Sequence, residues 1–339
     1  MPETGRAPLL RITDMHTGGE PVRIVTSGYP PIPGATILEK RAYARDNLDH
    51  LRRLLIFEPR GHYDMYGVVP VEPTLPGADL AVLFIHNEGY STMCGHAVVA
   101  LGRYAVDHGI VAPVEPVTTV NIECPCGMVT ASVEVEHGRA GAVSFESVPA
   151  FLFARDQAVT LPGHGEIVFD VAYGGAFYAI ADCARFGLAF GDSPVRDFVD
   201  AASALTARVK AELPLAHPDS PDLAFLYGTI LTDAGDGRHA PTRNVCVFAD
   251  AEVDRSPTGS GVTARLAAMH ARDEIGFGER RVFESIVGSC FSGEVVRAAP
   301  LADGGSGVVV RVGGRAHYSG TAEFCLEQDD RLGRGFLVR

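Results

Sequence analysis

Two short stretches carry residue types able to do chemistry, and they share one design. The first is Met93-Cys94-Gly95-His96, inside Asn87–Arg103: a thiol beside a glycine and an imidazole. Val98, Leu101 and Ala105 follow at helical spacing, and Gly109 offers a stop signal. The second is Asp254-Arg255-Ser256-Pro257-Thr258-Gly259-Ser260-Gly261, followed by Val262, Leu266 and Met269 at the same kind of spacing. Thr258 takes the place that Cys94 takes in the first stretch, 164 residues later in a chain of 339. Each stretch predicts the start of a helix. Cys94 falls near a first turn, and Ser256 with Pro257 reads as an N-cap and a first helical residue. The first N–H groups of a helix have no internal partner, and the positive end of its dipole lies there. That setting lowers the pKa of a thiol and seats an anion such as a carboxylate. Gly95 lets a ligand approach the backbone closely.

Taken together, the two stretches resemble the proline racemase family, which includes hydroxyproline epimerases and trans-3-hydroxy-L-proline dehydratases. Asp14-Met15-His16-Thr17-Gly18-Gly19-Glu20-Pro21, Glu58-Pro59-Arg60-Gly61-His62 and the closing Gly335-Phe336-Leu337 fit the same pattern, so the resemblance covers nearly the whole chain. Racemases and epimerases of the family carry cysteine at both catalytic positions. Here the second is Thr258, and a Cys/Thr pair resembles the dehydratase branch.

The resemblance implies removal of the α-proton of an imino acid without cofactor or metal. Cys94 is the expected base. A free thiol has a pKa of about 8.5, so modest lowering would make it useful near neutral pH. Backbone N–H groups of Gly95, His96, Gly259 and Ser260 would hold the substrate carboxylate and offset the charge that develops on it. The resemblance sets the ring nitrogen against Asp254 and gives His96 a substrate contact through its amide, its ring or both. The plain alternatives are a buried structural thiol for Cys94, a cap or a partner of Arg255 for Asp254, and an ordinary helix histidine for His96.

Thr258 decides between reactions. A racemase needs one group to take a proton from one face and another to deliver one to the other face. A threonine hydroxyl is far too weak an acid for that. A hydroxyl on C3 can instead be expelled, and the resulting enamine tautomerises to Δ1-pyrroline-2-carboxylate. The expected activity is therefore that of a hydro-lyase acting on trans-3-hydroxy-L-proline. Thr258, a water and the newly formed Cys94 thiol all stand as donors to the departing hydroxyl. The rivals are a 4-hydroxyproline epimerase or proline racemase, a cysteine hydrolase using Cys94 and a histidine, and a non-catalytic binder of small amino acids.

Composition narrows the field. Net charge is −13, from 42 acidic against 29 basic residues, which argues against nucleic acid and anionic membrane surfaces. No apolar run approaches the roughly 18 residues that span a bilayer, and Met1–Leu10 reads as no secretory signal. Seven widely spread cysteines do not form a disulfide framework, so a reducing cytoplasm is expected. Cys124-Pro125-Cys126 is a lone C-x-C and a weak metal signal. Gly304-Gly305-Ser306-Gly307 reads as a turn, and His16 and His62 sit in glycine-rich loops that can line a cleft.

Strand-like runs outnumber helices, which supports a mixed α/β class. They include Leu9–Asp14, Val22–Thr26, Leu80–Ile85, Pro116–Glu123, Met128–Val135, Ile167–Tyr173, Ala176–Ala181, Val245–Phe248, Glu294–Ala298 and Val308–Val312. Leu48, Leu51 and Leu55 suggest one helix before Pro59. Asp192-Ser193-Pro194 opens the clearest one, with Val195, Phe198, Ala202, Leu205 and Val209 on one face and Pro214 after it. The resemblance implies two pseudo-symmetric domains of the diaminopimelate epimerase-like fold, with the site in the cleft between them. Residues 1–149 with 328–339 would form the first domain and 150–327 the second. It also implies a homodimer.

Overall fold

A computed structural model describes residues 9–233 and 235–338. The amino-terminal stretch read above for a secretory signal therefore lies almost wholly outside the described residues.

Five α-helices stand among the described residues: α1 (Ile37–Asn47), α2 (Asp49–Ile56), α3 (Gly95–Asp107), α4 (Val195–Glu212) and α5 (Gly259–Ala271). Apart from two short 3-10 turns, Cys183–Phe186 and Pro221–Leu223, the rest of the regular structure is strand. Two helices are central. In α3 every residue from Gly95 to Gly102 is buried, and in α5 every residue from Gly259 to Met269. A helix buried on all sides has no solvent face to make polar, which is why both are rich in Ala, Val and Gly. Strands Leu10–Thr17, Glu20–Ser27, Gly127–Glu136 and Arg139–Glu146 pack around α3. Strands Phe151–Leu161, Gly165–Tyr173, Cys290–Pro300 and Ser306–Gly314 pack around α5.

The two halves repeat one pairing scheme. Glu20–Ser27 runs parallel to Gly67–Val71, which is antiparallel to Leu80–Ile85, which is antiparallel to Tyr90–Ser91. Helix α3 follows, and Val117–Cys124 then returns parallel to Leu80–Ile85. In the second half Phe177–Asp182 runs parallel to Leu226–Thr232, which is antiparallel to Thr242–Phe248, which is antiparallel to Glu252–Val253. Helix α5 follows, and Arg280–Glu284 returns parallel to Thr242–Phe248. The crossover after the first strand of each scheme carries α1 and α2 in one half and α4 in the other. The repeat puts the N-termini of α3 and α5 in equivalent places, each just after a two-residue strand.

One hydrophobic core runs through both halves. It includes Met15, Val98 and Leu101 around α3 and Val262, Leu266 and Phe283 around α5. Late in the chain, Ala316–Phe324 pairs with Leu10–Thr17, and Phe336 bridges to Glu58. The chain thus closes back onto its first strands.

Two expectations need correction. The sequence suggests one helix in the region of residues 37–56, yet two are present. Helix α1 was hidden because its buried residues are only Ile37, Lys40 and Ala44, too few apolar groups to make a stripe. Second, Ser256 and Pro257 are not the cap and first residue of α5. The helix begins at Gly259 with Thr258 at its N-cap, and Ser256 Oγ accepts the Thr258 N–H in the turn before it.

Candidate active site

Cys94, Gly95, His96, Asp254, Thr258, Gly259 and Ser260 line one small, nearly filled cavity between the halves. All seven residues singled out in the sequence meet there. Met93, Tyr66, Tyr178, Tyr227 and Phe248 complete the wall. Cys94, Asp254 and Thr258 are only 4%, 2% and 5% exposed, so the cleft is closed over them.

Cys94 is the N-cap of α3, and its Sγ accepts the Ala97 N–H at 3.4 Å. The His96 ring lies against the same sulfur, Nδ1 at 3.1 Å. Burial depresses His96 to about 3, against a hydrogen bond to the Pro21 carbonyl that favours the charged form. The imidazole is therefore neutral beside the thiol. Thr17 Oγ1 donates to the His96 carbonyl at 2.8 Å and fixes the first turn.

The thiol's acidity reverses an expectation. A helix N-terminus lowers a thiol's pKa, and the Ala97 N–H does act in that direction here. Burial outweighs it and pushes Cys94 well above its ordinary value, and the negative charge of Asp254 adds to the rise. Removing water from a would-be thiolate costs more than one backbone N–H returns.

Thr258 sits at φ +65°, an unusual backbone conformation for a β-branched residue, and makes no side-chain cap. Its Oγ1 is buried without a hydrogen-bond partner among the described residues. Strain of this kind persists only where surrounding structure enforces it, and it clusters at functional sites. The turn Asp254-Arg255-Ser256 supplies that enforcement. Asp254 accepts the Ser256 N–H at 2.7 Å, and Ser256 Oγ accepts the Thr258 N–H at 3.1 Å. Arg255 does not pair with Asp254 but reaches Asp64 at 2.9 Å. Burial raises Asp254 to about 6, opposed by its bonds to Ser256.

The first N–H groups of α3 and α5, on Gly95, His96, Gly259 and Ser260, have no partner inside their helices and belong to residues of the cavity wall. Two helix dipoles thus converge on one point, which suits a carboxylate. The Ser260 hydroxyl is held by Tyr178 at 2.7 Å.

Reciprocal bonds hold the halves together around this site. Glu20 accepts the Arg255 N–H at 2.6 Å, and Glu252 accepts the Asn87 N–H at 2.6 Å. Thr92 Oγ1 donates to the Gly175 carbonyl at 2.8 Å.

The sequence reading missed the aromatic wall. Tyr66 and Phe248 lie just beyond quoted motifs, and Tyr178 and Tyr227 come from strands with no motif. Period-2 alternation marks a strand but does not say which residues face a site. His16 and His62 do not line the cavity; His16 stacks on His317, with ring centroids 5.3 Å apart.

Comparison with known proteins agrees with this architecture. Residues 12–337 match the proline racemase family. The chain belongs to that family. Among family members, a human protein named trans-3-hydroxy-L-proline dehydratase is 55% identical, covering 100% of this chain and 97% of its own. A Burkholderia multivorans protein named 3-hydroxyproline 2-epimerase is 45% identical, covering 97% of this chain and 98% of its own. The crystal structure of a hydroxyproline epimerase from Agrobacterium vitis with bound trans-4-hydroxy-L-proline superposes with a TM-score of 0.92 at 28% identity, covering 97% of this chain and 94% of the other. The fold is that of the proline racemases, mixed α/β with two pseudo-symmetric halves.

Proposed function

We propose that this chain dehydrates trans-3-hydroxy-L-proline to Δ1-pyrroline-2-carboxylate. The observation that carries the reading is the unequal pair on the two helix starts: a thiol at Cys94 and an alcohol at Thr258, on one cavity. Full-length identity of 55% to a protein named for this reaction supports it.

In this mechanism the substrate carboxylate sits on the N–H groups of Gly95, His96, Gly259 and Ser260. Its cationic ring nitrogen sits beside Asp254. A cation against a carboxylate is a strong hydrogen-bonded pair, and it acidifies the neighbouring α-carbon. Cys94 as thiolate takes the α-proton. The electron pair left on the α-carbon forms the double bond to C3, the C3–O pair leaves with the oxygen, which takes up a proton and departs as water, and the enamine tautomerises to Δ1-pyrroline-2-carboxylate. Thr258, on the other half, has no proton acidic enough to invert the centre. Each step uses groups of the cavity and substrate alone, so the route calls for no cofactor. Burial pushes Cys94 up, so the thiolate fraction grows as pH rises, and the substrate's positive nitrogen favours the thiolate in the complex. Assembly as a homodimer in the cytoplasm belongs to the same reading, and sedimentation tests the first part of it.

The similarity to a 3-hydroxyproline 2-epimerase keeps a second reading in view, inversion at the same α-carbon. Incubation with trans-3-hydroxy-L-proline and NMR of the products separates the two. Dehydration gives Δ1-pyrroline-2-carboxylate and no inverted isomer. Accumulation of the D-configured isomer without pyrroline would refute the dehydratase reading.

A further inference from the structure

The cavity holds a polar group that the mechanism above does not use. Tyr66 lines it together with Cys94 and His96, and its residue is 1% exposed. Its hydroxyl is buried and makes no hydrogen bond of ordinary geometry among the described residues, with Ser91, Tyr227 and the Cys94 sulfur as its polar neighbours. The ring is clamped: its edge meets His96 with centroids 4.9 Å apart at 70°, and it packs on His86 at 6.0 Å and Phe248 at 6.0 Å. An unpaired buried hydroxyl costs about 1–3 kcal/mol unless something in the working complex bonds to it.

Stereochemistry says what that something is. In trans-3-hydroxy-L-proline the hydroxyl and the carboxylate lie on opposite faces of the ring. The α-hydrogen is also opposite the carboxylate. The hydrogen that Cys94 removes and the hydroxyl that departs therefore share one face, and the elimination is syn. The proton donor to the leaving hydroxyl must stand on the Cys94 side. Thr258 and Tyr227, whose hydroxyl is likewise buried without a hydrogen bond of ordinary geometry among the described residues, come from the opposite half, and both ring nitrogens of the neutral His96 face the thiol sulfur, at 3.1 and 3.5 Å. Tyr66 has its ring on His96, and its hydroxyl and the Cys94 sulfur each perturb the other's titration.

We propose that the Tyr66 hydroxyl is the acid that protonates the departing C3 hydroxyl. The inference rests on the dehydratase reading. The proton balance is simple. Cys94 thiolate takes the α-proton; the Cα–H pair becomes the Cα=C3 bond; the C3–O pair leaves with oxygen, which takes the Tyr66 proton and departs as water. The Cys94 S–H then returns its proton to the Tyr66 phenolate, and both groups are restored. Burial, with the Cys94 charge second, holds the Tyr66 hydroxyl well above its ordinary pKa, so it keeps its proton at working pH. Hydroxide is a far stronger base than a phenolate, so a leaving C3 oxygen takes that proton as its bond to carbon breaks.

The test uses Tyr66→Phe, which keeps the ring and its packing. Three rates are compared with the parent: dehydration of trans-3-hydroxy-L-proline, elimination of fluoride from trans-3-fluoro-L-proline, and exchange of the α-proton of L-proline in D2O. Expected is a fall in dehydration of about 10²-fold or more, the usual worth of a positioned acid. Fluoride elimination, which depends less on protonation, and α-exchange stay within a few-fold of the parent. Unchanged dehydration would overturn the proposal and leave Cys94 to ferry the proton itself. An equal loss of all three rates would also overturn it, since Tyr66 would then serve the thiol rather than the leaving group. A parent enzyme that inverts the substrate and yields no pyrroline would sink the dehydratase reading, and this assignment with it.

Discussion

Gly95 and Gly259 meet backbone to backbone. A Cβ built on Gly95 would lie 2.5 Å from the Gly259 Cα, and one built on Gly259 would lie 2.7 Å from the Gly95 Cα. The two helix starts proposed to seat the carboxylate therefore touch through residues without side chains. Gly95→Ala or Gly259→Ala should force the helices apart. The expected outcome is a loss of kcat/KM of about 10²-fold, the scale of an ångström of misplacement, with a stability loss of about 1–3 kcal/mol from overpacking. Steady-state kinetics and thermal melting check both. A Gly95→Ala enzyme with parental kinetics would mean that this contact does not set the site.

The pH profile of kcat/KM should have two ascending limbs. In the proposed mechanism Asp254 is ionised to hold the ring cation, so its raised pKa of about 6 makes activity fall as pH drops through about 6. Cys94 must be a thiolate, and burial pushes it above its ordinary value, so activity keeps rising into the alkaline range. Asp254→Asn should raise KM and remove the lower limb. It should also shift the upper limb to lower pH, because the Asp254 charge is one cause of the raised thiol. An upper limb that stays put in Asp254→Asn would contradict the coupling.

Thr258 offers two separable tests. Thr258→Cys restores a proton donor on the second face, and traces of inverted imino acid should appear, deuterated at the α-carbon in D2O. Thr258→Gly should melt higher than Thr258→Ala by the equivalent of about 1 kcal/mol, because both lack the side chain but only glycine accepts φ +65° without strain. Equal melting temperatures for the two variants would argue against strain at this position.

Glu20 should make stability fall with pH. Burial, then the nearby Asp254 charge, raises its folded-state pKa well above the ordinary glutamate value. The folded chain thus holds a proton that the unfolded chain releases once pH passes about 4.5. The stabilisation is complete below that pH and is lost as pH rises toward the folded-state value. Glu20→Gln cannot titrate and can still accept the Arg255 N–H. Its melting temperature relative to the parent should climb between acid and neutral pH. A constant offset across that range would rule out this titration.

Much of the site was legible because it is built from local signals. Helical spacing after Cys94 and after Gly259, a glycine at each start, and a small polar side chain before each glycine announce two anion-seating helix ends. The strands were legible where polar and apolar residues alternate, as in Gly127–Glu136. Helix α1 was not, because its buried face is one isoleucine, one lysine and one alanine. The start of α5 was misplaced by two residues because Ser256 looks like a cap, while its hydroxyl in fact serves the turn that holds Thr258.

By itself, then, the chain's linear order determined which groups can react: one sulfur, one alcohol, one carboxylate and two helix starts, in a repeat about half the chain long. Tertiary structure alone decided how acidic they are and what surrounds them. Burial between the halves turns the expected acidic thiol into a reluctant one, and folding brings Tyr66, Tyr178 and Tyr227 from distant parts of the chain to the same wall. Solvation and through-space charge depend on which surfaces meet, and spacing along a chain carries neither.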